Sequence, residues 1–344
     1  MNIKNGQVEM IHGSGGRAMM KLIHELFARH FSNEWLDQGN DGARLPEIPP
    51  GYRPVMATDS HVITPLFFPG GDIGSLSVHG TVNDVAMMGA TPLYLSAGFI
   101  LEEGFPLADL QQIVQSMAAA AKEAGVAIVT GDTKVVEKGK GDGVFINTTG
   151  FGIVPAKLNL SGDRAQAGDK VIVSGTLGDH GVTILSSRES LGFETGLQSD
   201  TQALNSLTAT MINALSNPAE QLKCLRDPTR GGLANTLNEI ASQSGVGIHL
   251  QEADIPLNPQ VAAACEFLGL DPLYVANEGK LIAVCCADIA EELLAVMKQH
   301  PAGQDAAIIG EVKKDDQCFV EMTTRFGGQR MVDWLNGEQL PRIC

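Results

Sequence analysis

The chain has 344 residues, 40 acids against 24 Lys and Arg, a formal charge of −16, 44% hydrophobic residues and 39 glycines. That length suits two domains, each able to bury a core. The acid excess repels phosphate backbones and argues against general nucleic-acid binding, no apolar run is long enough to span a membrane, and MNIKNGQVEM lacks the apolar stretch of a secretory signal. Six cysteines in a chain this long do not make a disulfide scaffold, so the expectation is a cytoplasmic protein with reduced thiols.

In chain order, Ser14 reads as an N-cap, with Met19, Leu22, Ile23, Leu26, Phe27 and His30 recurring behind it at helical spacing. Residues 32–53 are polar and rich in Gly and Pro, hence a loop. A short strand over 54–58 runs into Asp59, a helix of small residues covers 75–88, and 92–101 is a strand. Pro106 opens an amphipathic helix with Leu110, Ile113, Val114, Met117, Ala118 and Ala121 on one face, and Gly125 ends it. Strands follow at 126–130 and 143–154. In the second half, strands are expected at 170–175, 246–250, 280–286, 306–312 and 318–323. Helices are expected after GTLGDHG and at 203–215, 231–243, 258–268, 288–298 and 327–336, before a mobile polar tail. Polar turn residues around 155–168 divide the chain into 1–155, 156–336 and the tail 337–344, and the mixture of elements makes the class α+β.

Several motifs point to chemistry. His12-Gly13-Ser14-Gly15-Gly16-Arg17-Ala18 fits G-x-G-x-x-A before a helix, but the preceding QVEMI alternates polar and apolar residues, unlike a buried parallel strand. Three readings stay open: a dinucleotide loop, an anion site built from backbone amides, or a plain helix entry. There is no P-loop; NEGKL at 277–281 lacks the leading Gly and the hydroxyl residue. Asp59, Asp84, Asp132, Asp179 and Asp227 recur where strands end or helices begin. Each alone is an ordinary turn or cap residue; together they form a hard-oxygen set suited to Mg²⁺ and phosphate, because converging carboxylates repel one another without cations. Cys224, Cys265, Cys285, Cys286 and Cys318 read as packing, whereas Cys344 is the last residue of a polar tail, a poor packing element and a candidate swinging thiol.

HGSGGRAM (12–19), DSHVITPLFFPGGDIG (59–74), GTVNDVAMMGA (80–90), GDTKVV (131–136), DPTRGGLA (227–234), NEGK (277–280) and terminal PRIC (341–344) together resemble the HypE family of hydrogenase maturation factors, within the PurM-like superfamily of ATP-using enzymes similar to aminoimidazole ribonucleotide synthetase. The resemblance implies a two-domain PurM-like fold: an N-terminal sheet domain that forms a homodimer, and a C-terminal α/β sandwich. It implies ATP-dependent dehydration of a carbamoyl group on Cys344 to a thiocyanate, which supplies the cyanide ligands of nickel–iron hydrogenase. A HypF-type carbamoyltransferase would load the thiol, and a HypC–HypD complex would accept the cyanide. It also assigns Asp59, Asp84, Asp132 and Asp227 to Mg²⁺ and ATP, with Asn83 beside them and the Gly13, Ser14 and Gly15 loop over phosphates. Lys134 and Glu278 would act at the thiocarbamate. Two other functions compete: a small-molecule kinase or synthetase of the same superfamily, which leaves Cys344 idle, and a non-enzymatic scaffold using its tail as a docking peptide.

Overall fold

The computed structural model describes residues 2–188, 196–337 and 343. Helix α1 (Arg17–Leu22) continues through a π-helical stretch (Ile23–Ala28) into α2 (Arg29–Phe31). Its N-cap is Gly16 rather than Ser14, whose hydroxyl turns back and donates to the Ile11 carbonyl at 2.9 Å. The long loop gives way to β1 (Tyr52–His61). A small hairpin, β2 (Phe67–Phe68) and β3 (Gly71–Asp72), leads into α3 (Ile73–Met87). The Asp72 carboxylate caps α3, accepting from the amides of Gly74 at 2.7 Å and Ser75 at 3.1 Å. Strand β4 (Thr91–Glu102), helix α4 (Leu107–Ala124), β5 (Ala127–Val136) and β6 (Val144–Pro155) complete the first unit.

These strands form a four-stranded sheet in the order β1-β6-β4-β5, with β4 and β5 parallel through the crossover helix α4 and the other pairs antiparallel. Alternation decides its two faces. Leu95, Ala97, Phe99 and Ile146 turn inward under α3 and α4, while Met56, at 74% exposure, and Ile100, at 43%, stand on the outer face.

The second unit contains β7 (Lys170–Val173), α5 (Asp179–Ser186), α6 (Asn205–Ala214), α7 (Pro218–Gln221), β8 (Leu222–Arg226) and α8 (Gly232–Ser244). It continues with β9 (Gly247–Gln251), α9 (Pro259–Leu268), β10 (Ile282–Cys285), α10 (Ala290–Lys298), β11 (Ala307–Lys313), β12 (Val320–Thr323) and β13 (Gln329–Met331). Its seven-stranded sheet runs β13-β12-β9-β11-β7-β10-β8. Successive residues of β7 go to opposite cores: Val171 and Val173 join Leu233, Leu237 and Ile240 of α8, and Ile172 joins α6 and α10.

Helix α3 belongs to both units. Ile73, Leu76, Val78 and Val82 pack in the core of the first sheet, and Val85, Ala86 and Met87 in the core of the second. A helix covered on all sides needs no polar stripe, which is why small residues fill it. Two segments differ from the sequence reading. Residues 327–336 are not helical: Gln329–Met331 pairs antiparallel with β12 across a turn at Gly327, where φ is +82°. Strand β8 is an addition; LKCLR lies at the sheet edge but is buried by α3, α7 and β10, so it carries no alternation to recognise.

Candidate active site

The C-terminal end of β1, the middle of α3, the loop after β8 and the loop before β10 meet between the two sheets. Asp59 points inward from β1, two residues before His61, which turns the same way. A Cβ on Gly80 would lie 3.3 Å from Asp59 Oδ2 and 3.1 Å from the His61 ring, so glycine there lets α3 approach this pair. One helical turn on, Asp84 faces the same space. Its carboxyl is pushed up to about 7, first by burial and then by the charges of Asp227 and Asp59, with Arg226 and Arg230 opposing. Asp227, just past β8, is pushed up to about 6 by burial, with Asp59 and Glu239 adding to the rise. The Arg230 guanidinium lies 3.8 Å from Asp59 Oδ1.

Glu278 closes the cluster from the C-terminal unit. It is 5% exposed, and its Oε1 has no hydrogen-bond partner. Burial, followed by the charges of Asp227, Asp200 and Asp59, holds its carboxyl well above the usual range. Its own amide donates to Asp200 Oδ1 at 3.1 Å, and Asp200 Oδ2 is 3.3 Å from Lys280 Nζ. A Cβ on Gly279 would sit 1.8 Å from the Asp200 carbonyl oxygen, so the tight loop requires glycine. Asn83 serves as a tie: its amide nitrogen donates to the carbonyls of Gln202, at 3.0 Å, and Glu278, at 3.4 Å, and its oxygen accepts from Leu204 N at 2.7 Å.

Asp132 and Lys134 are elsewhere. They sit two residues apart on β5, both more than 60% exposed, with Lys134 Nζ 2.8 Å from Asp132 Oδ2; hydrogen bonding from Lys134 holds the Asp132 carboxyl below its ordinary value. The register Ser60↔Asn147↔Gly98↔Asp132 puts Asp132 on the outer face, opposite to Asp59 and three strands away, about 14 Å at the usual strand spacing. Gly13, Ser14 and Gly15 lie at this same β5 edge, where a Cβ on Gly13 would lie 2.9 Å from the Val135 amide nitrogen. Asp179 begins α5, where its carboxyl accepts from the Thr176 hydroxyl. Cys344 lies outside the described residues, as do 338–342, on which most of the expected mobile tail falls; Ile343 is described and is buried. The other five cysteines are free, three of them buried.

The structure thus gathers Asp59, Asp84, Asp227 and Glu278 and leaves Asp132 and Lys134 apart. Among the described residues no three His, Cys, Asp or Glu converge closely enough to hold a metal ion alone. Arg230, Asp200, Lys280 and His61 were not singled out from sequence. Arg230 stands inside DPTRGG and His61 two residues beyond Asp59, so motif position could have flagged both; Asp200, in the plain polar run QSDTQ, had no such signal.

Residues 39–154 match the N-terminal domain of the AIR synthase related proteins and residues 166–323 the C-terminal domain. The chain is 69% identical to the carbamoyl dehydratase HypE of Azotobacter vinelandii over 344 residues, 100% of this chain and 99% of that protein. It is similar to the crystal structure of the hydrogenase maturation protein HypE in complex with ATP, with a TM-score of 0.92, 51% identity and coverage of 98% and 99% of the two chains. A crystal structure of a HypE–HypF complex gives 0.79, with 50% identity over 91% and 99%. With both domains matched and that identity sustained end to end, the chain belongs to the HypE family of carbamoyl dehydratases, enzymes of hydrogenase maturation.

Proposed function

We propose that the chain uses ATP to dehydrate a carbamoyl group carried on Cys344, leaving a thiocyanate that becomes a cyanide ligand of nickel–iron hydrogenase. The observation that carries this reading is Glu278: a buried carboxylate with an unpartnered oxygen, held well above the usual carboxylate range by burial, at the junction of the two units. The ATP complex of a HypE relative supports the choice of nucleotide.

The chemistry sets the requirements. An amide oxygen leaves poorly. Transfer of the γ-phosphoryl group of ATP to that oxygen, with loss of one N–H proton, gives an S-bound imidate phosphate and ADP. Departure of phosphate with loss of the second N–H proton then forms the S–C≡N group. The carbamoyl oxygen ends in phosphate, and both protons leave nitrogen. Glu278 takes the nitrogen proton; a carboxylate with a raised pKa is the stronger base near neutrality. Lys134 holds negative charge developing on the reacting group. Asp59, Asp84, Asp132 and Asp227 hold Mg²⁺ and ATP phosphates, with the Gly13, Ser14 and Gly15 amides over the phosphates and Asn83 fixing the frame. The donor set fits magnesium, which takes one or two carboxylates and otherwise phosphate and water; a bound cation relieves the repulsion that raises Asp84 and Asp227.

The division into an ATP-binding and dimerisation domain (1–155), a C-terminal domain (156–336) and a cysteine-bearing tail belongs to the same reading. So does a homodimer joined through the outer face of the N-terminal sheet, where Met56 and Ile100 are uncovered. That contact would carry Asp132 and Lys134 of one copy toward the cleft of the other. A HypF-type enzyme loads Cys344, as the HypE–HypF complex of a relative supports, and a HypC–HypD complex accepts the cyano group in the cytoplasm.

The test weighs the C-terminal peptide. Protein loaded by the carbamoyltransferase is freed of nucleotide and then given ATP and Mg²⁺. Loss of one water from the carbamoylated Cys344 peptide, only with ATP, is expected. A cyano adduct formed by Cys344→Ala protein would sink the proposal.

A further inference from the structure

We propose that His180 is a positioning residue for the C-terminus: with Ile63 and Phe68 it forms a seat that grips residue 343 beside the loop holding Glu278. The inference rests on the reading of Cys344 given above and adds how the tail is held during dehydration.

Ile343 is 5% exposed, packs in the main core of the N-terminal unit, and makes an antiparallel bridge with Ile63, just beyond β1. Its carbonyl oxygen is 2.6 Å from His180 Nε2. A carbonyl only accepts, so Nε2 carries the hydrogen. Burial lowers the His180 pKa and favours the neutral ring, leaving Nδ1 to accept from the Ser199 hydroxyl at 2.7 Å. Ser199 Oγ accepts in turn from Thr201 N at 3.1 Å. Phe68 stands edge-on to the imidazole, ring centroids 5.7 Å apart and planes at 88°. Each polar atom of the seat has a partner, so the ring cannot turn without losing a buried hydrogen bond.

The seat is joined to the site. Asp200, between Ser199 and Thr201, receives the amide of Glu278, and Gly181, next to His180, donates to Ala276 at 3.2 Å. One segment, 199–202, therefore backs both the tail anchor and the proposed base. Residue 344 follows the gripped residue directly in the chain. Gripping Ile343 makes the dehydration of Cys344 intramolecular and oriented. Loading by a partner enzyme needs the tail outside the seat. A weakened seat should therefore slow dehydration and spare loading, a split that general destabilisation would not produce.

Three variants of the full chain test this. Ile343→Ala removes the apolar grip. His180→Asn keeps a group facing Ser199 but loses the donor to residue 343, and His180→Gln restores an N–H near the Nε2 position. The first readout is release of Cys344 and Ile343 by carboxypeptidase Y, which needs no catalysis. Ile343→Ala and His180→Asn should speed release about tenfold, the loss expected for one buried contact, and His180→Gln much less. The second readout is single-turnover dehydration of preloaded protein, slowed about tenfold in the same two variants with carbamoyl loading unchanged. Unchanged release in Ile343→Ala overturns the seat; so does equal slowing of loading and dehydration. If parent protein never dehydrates its tail, the proposed function fails while the release rates still judge the seat.

Discussion

The cleft between the sheets and the outer face of the N-terminal sheet both carry acidic residues from the same set of motifs, yet they treat charge in opposite ways. In the cleft, burial and mutual repulsion push Asp84 to about 7 and Asp227 to about 6, and leave a Glu278 oxygen without a partner. On the outer face, Asp132 is paired with Lys134, exposed and held low. Carboxylates kept in unfavourable company are poised to receive a cation or a proton, whereas the outer pair is already neutralised and bathed in water. The difference teaches that the same kind of carboxylate is held strained in the cleft and relaxed on the outer face; on the proposed reading, the cleft is the acid–base and phosphate-facing half of a site and the outer face of a second copy brings its cationic half.

Substitutions should separate these regions. The largest effect is expected for Glu278→Gln. Removing a general base should slow dehydration of preloaded protein by about 10²–10⁴-fold, measured as single-turnover water loss, without lowering the thermal midpoint, since the amide replaces a buried carboxyl whose Oε1 has no hydrogen-bond partner. Next comes Asp84→Asn, which should abolish ATP hydrolysis and yet stabilise the nucleotide-free protein at alkaline pH. The sign follows from linkage: a carboxyl raised from 3.8 to about 7 contributes its stability below the unfolded value and loses it as pH rises through about 7. Thermal melts should show the variant ahead of the parent by roughly 1–3 kcal/mol at pH 8, the gap narrowing as pH falls, closing below about pH 4, and vanishing when Mg²⁺ and ATP are present. The smallest effect is Asp132→Asn, whose exposed ion pair should leave stability within about 0.5 kcal/mol; a large loss in chemical denaturation would mean that the pair is structural.

Much of this was legible in the sequence because it depends on local patterns. The amphipathic stripe of α4, ended by Gly125 in the left-handed region, follows from helical spacing, and the carboxylates of ATDS, VNDV and DPTR were marked by their positions at element ends. The hairpin at 324–331 and strand β8 were hidden because their identity comes from neighbouring strands rather than from their own periodicity. Sequence also could not tell that Asp132 lies across the sheet from Asp59: a strand's facing depends on its register with β4, which a bulge shifts between Leu95 and Ser96. His180 and Asp200 were illegible for a similar reason, since burial and a contact to residue 343 come only with the fold.

The division of the site is tested most directly by mixing two inactive proteins, Glu278→Gln and Lys134→Ala, under conditions that exchange subunits, and measuring ATP-dependent dehydration of the carbamoylated tail. If Lys134 of one copy serves the cleft of the other, each mixed dimer contains one site with both residues intact. Activity should then return to about a quarter of the parent level at statistical mixing. No recovery in demonstrated mixed dimers would place both residues in the cleft of a single chain and contradict the account.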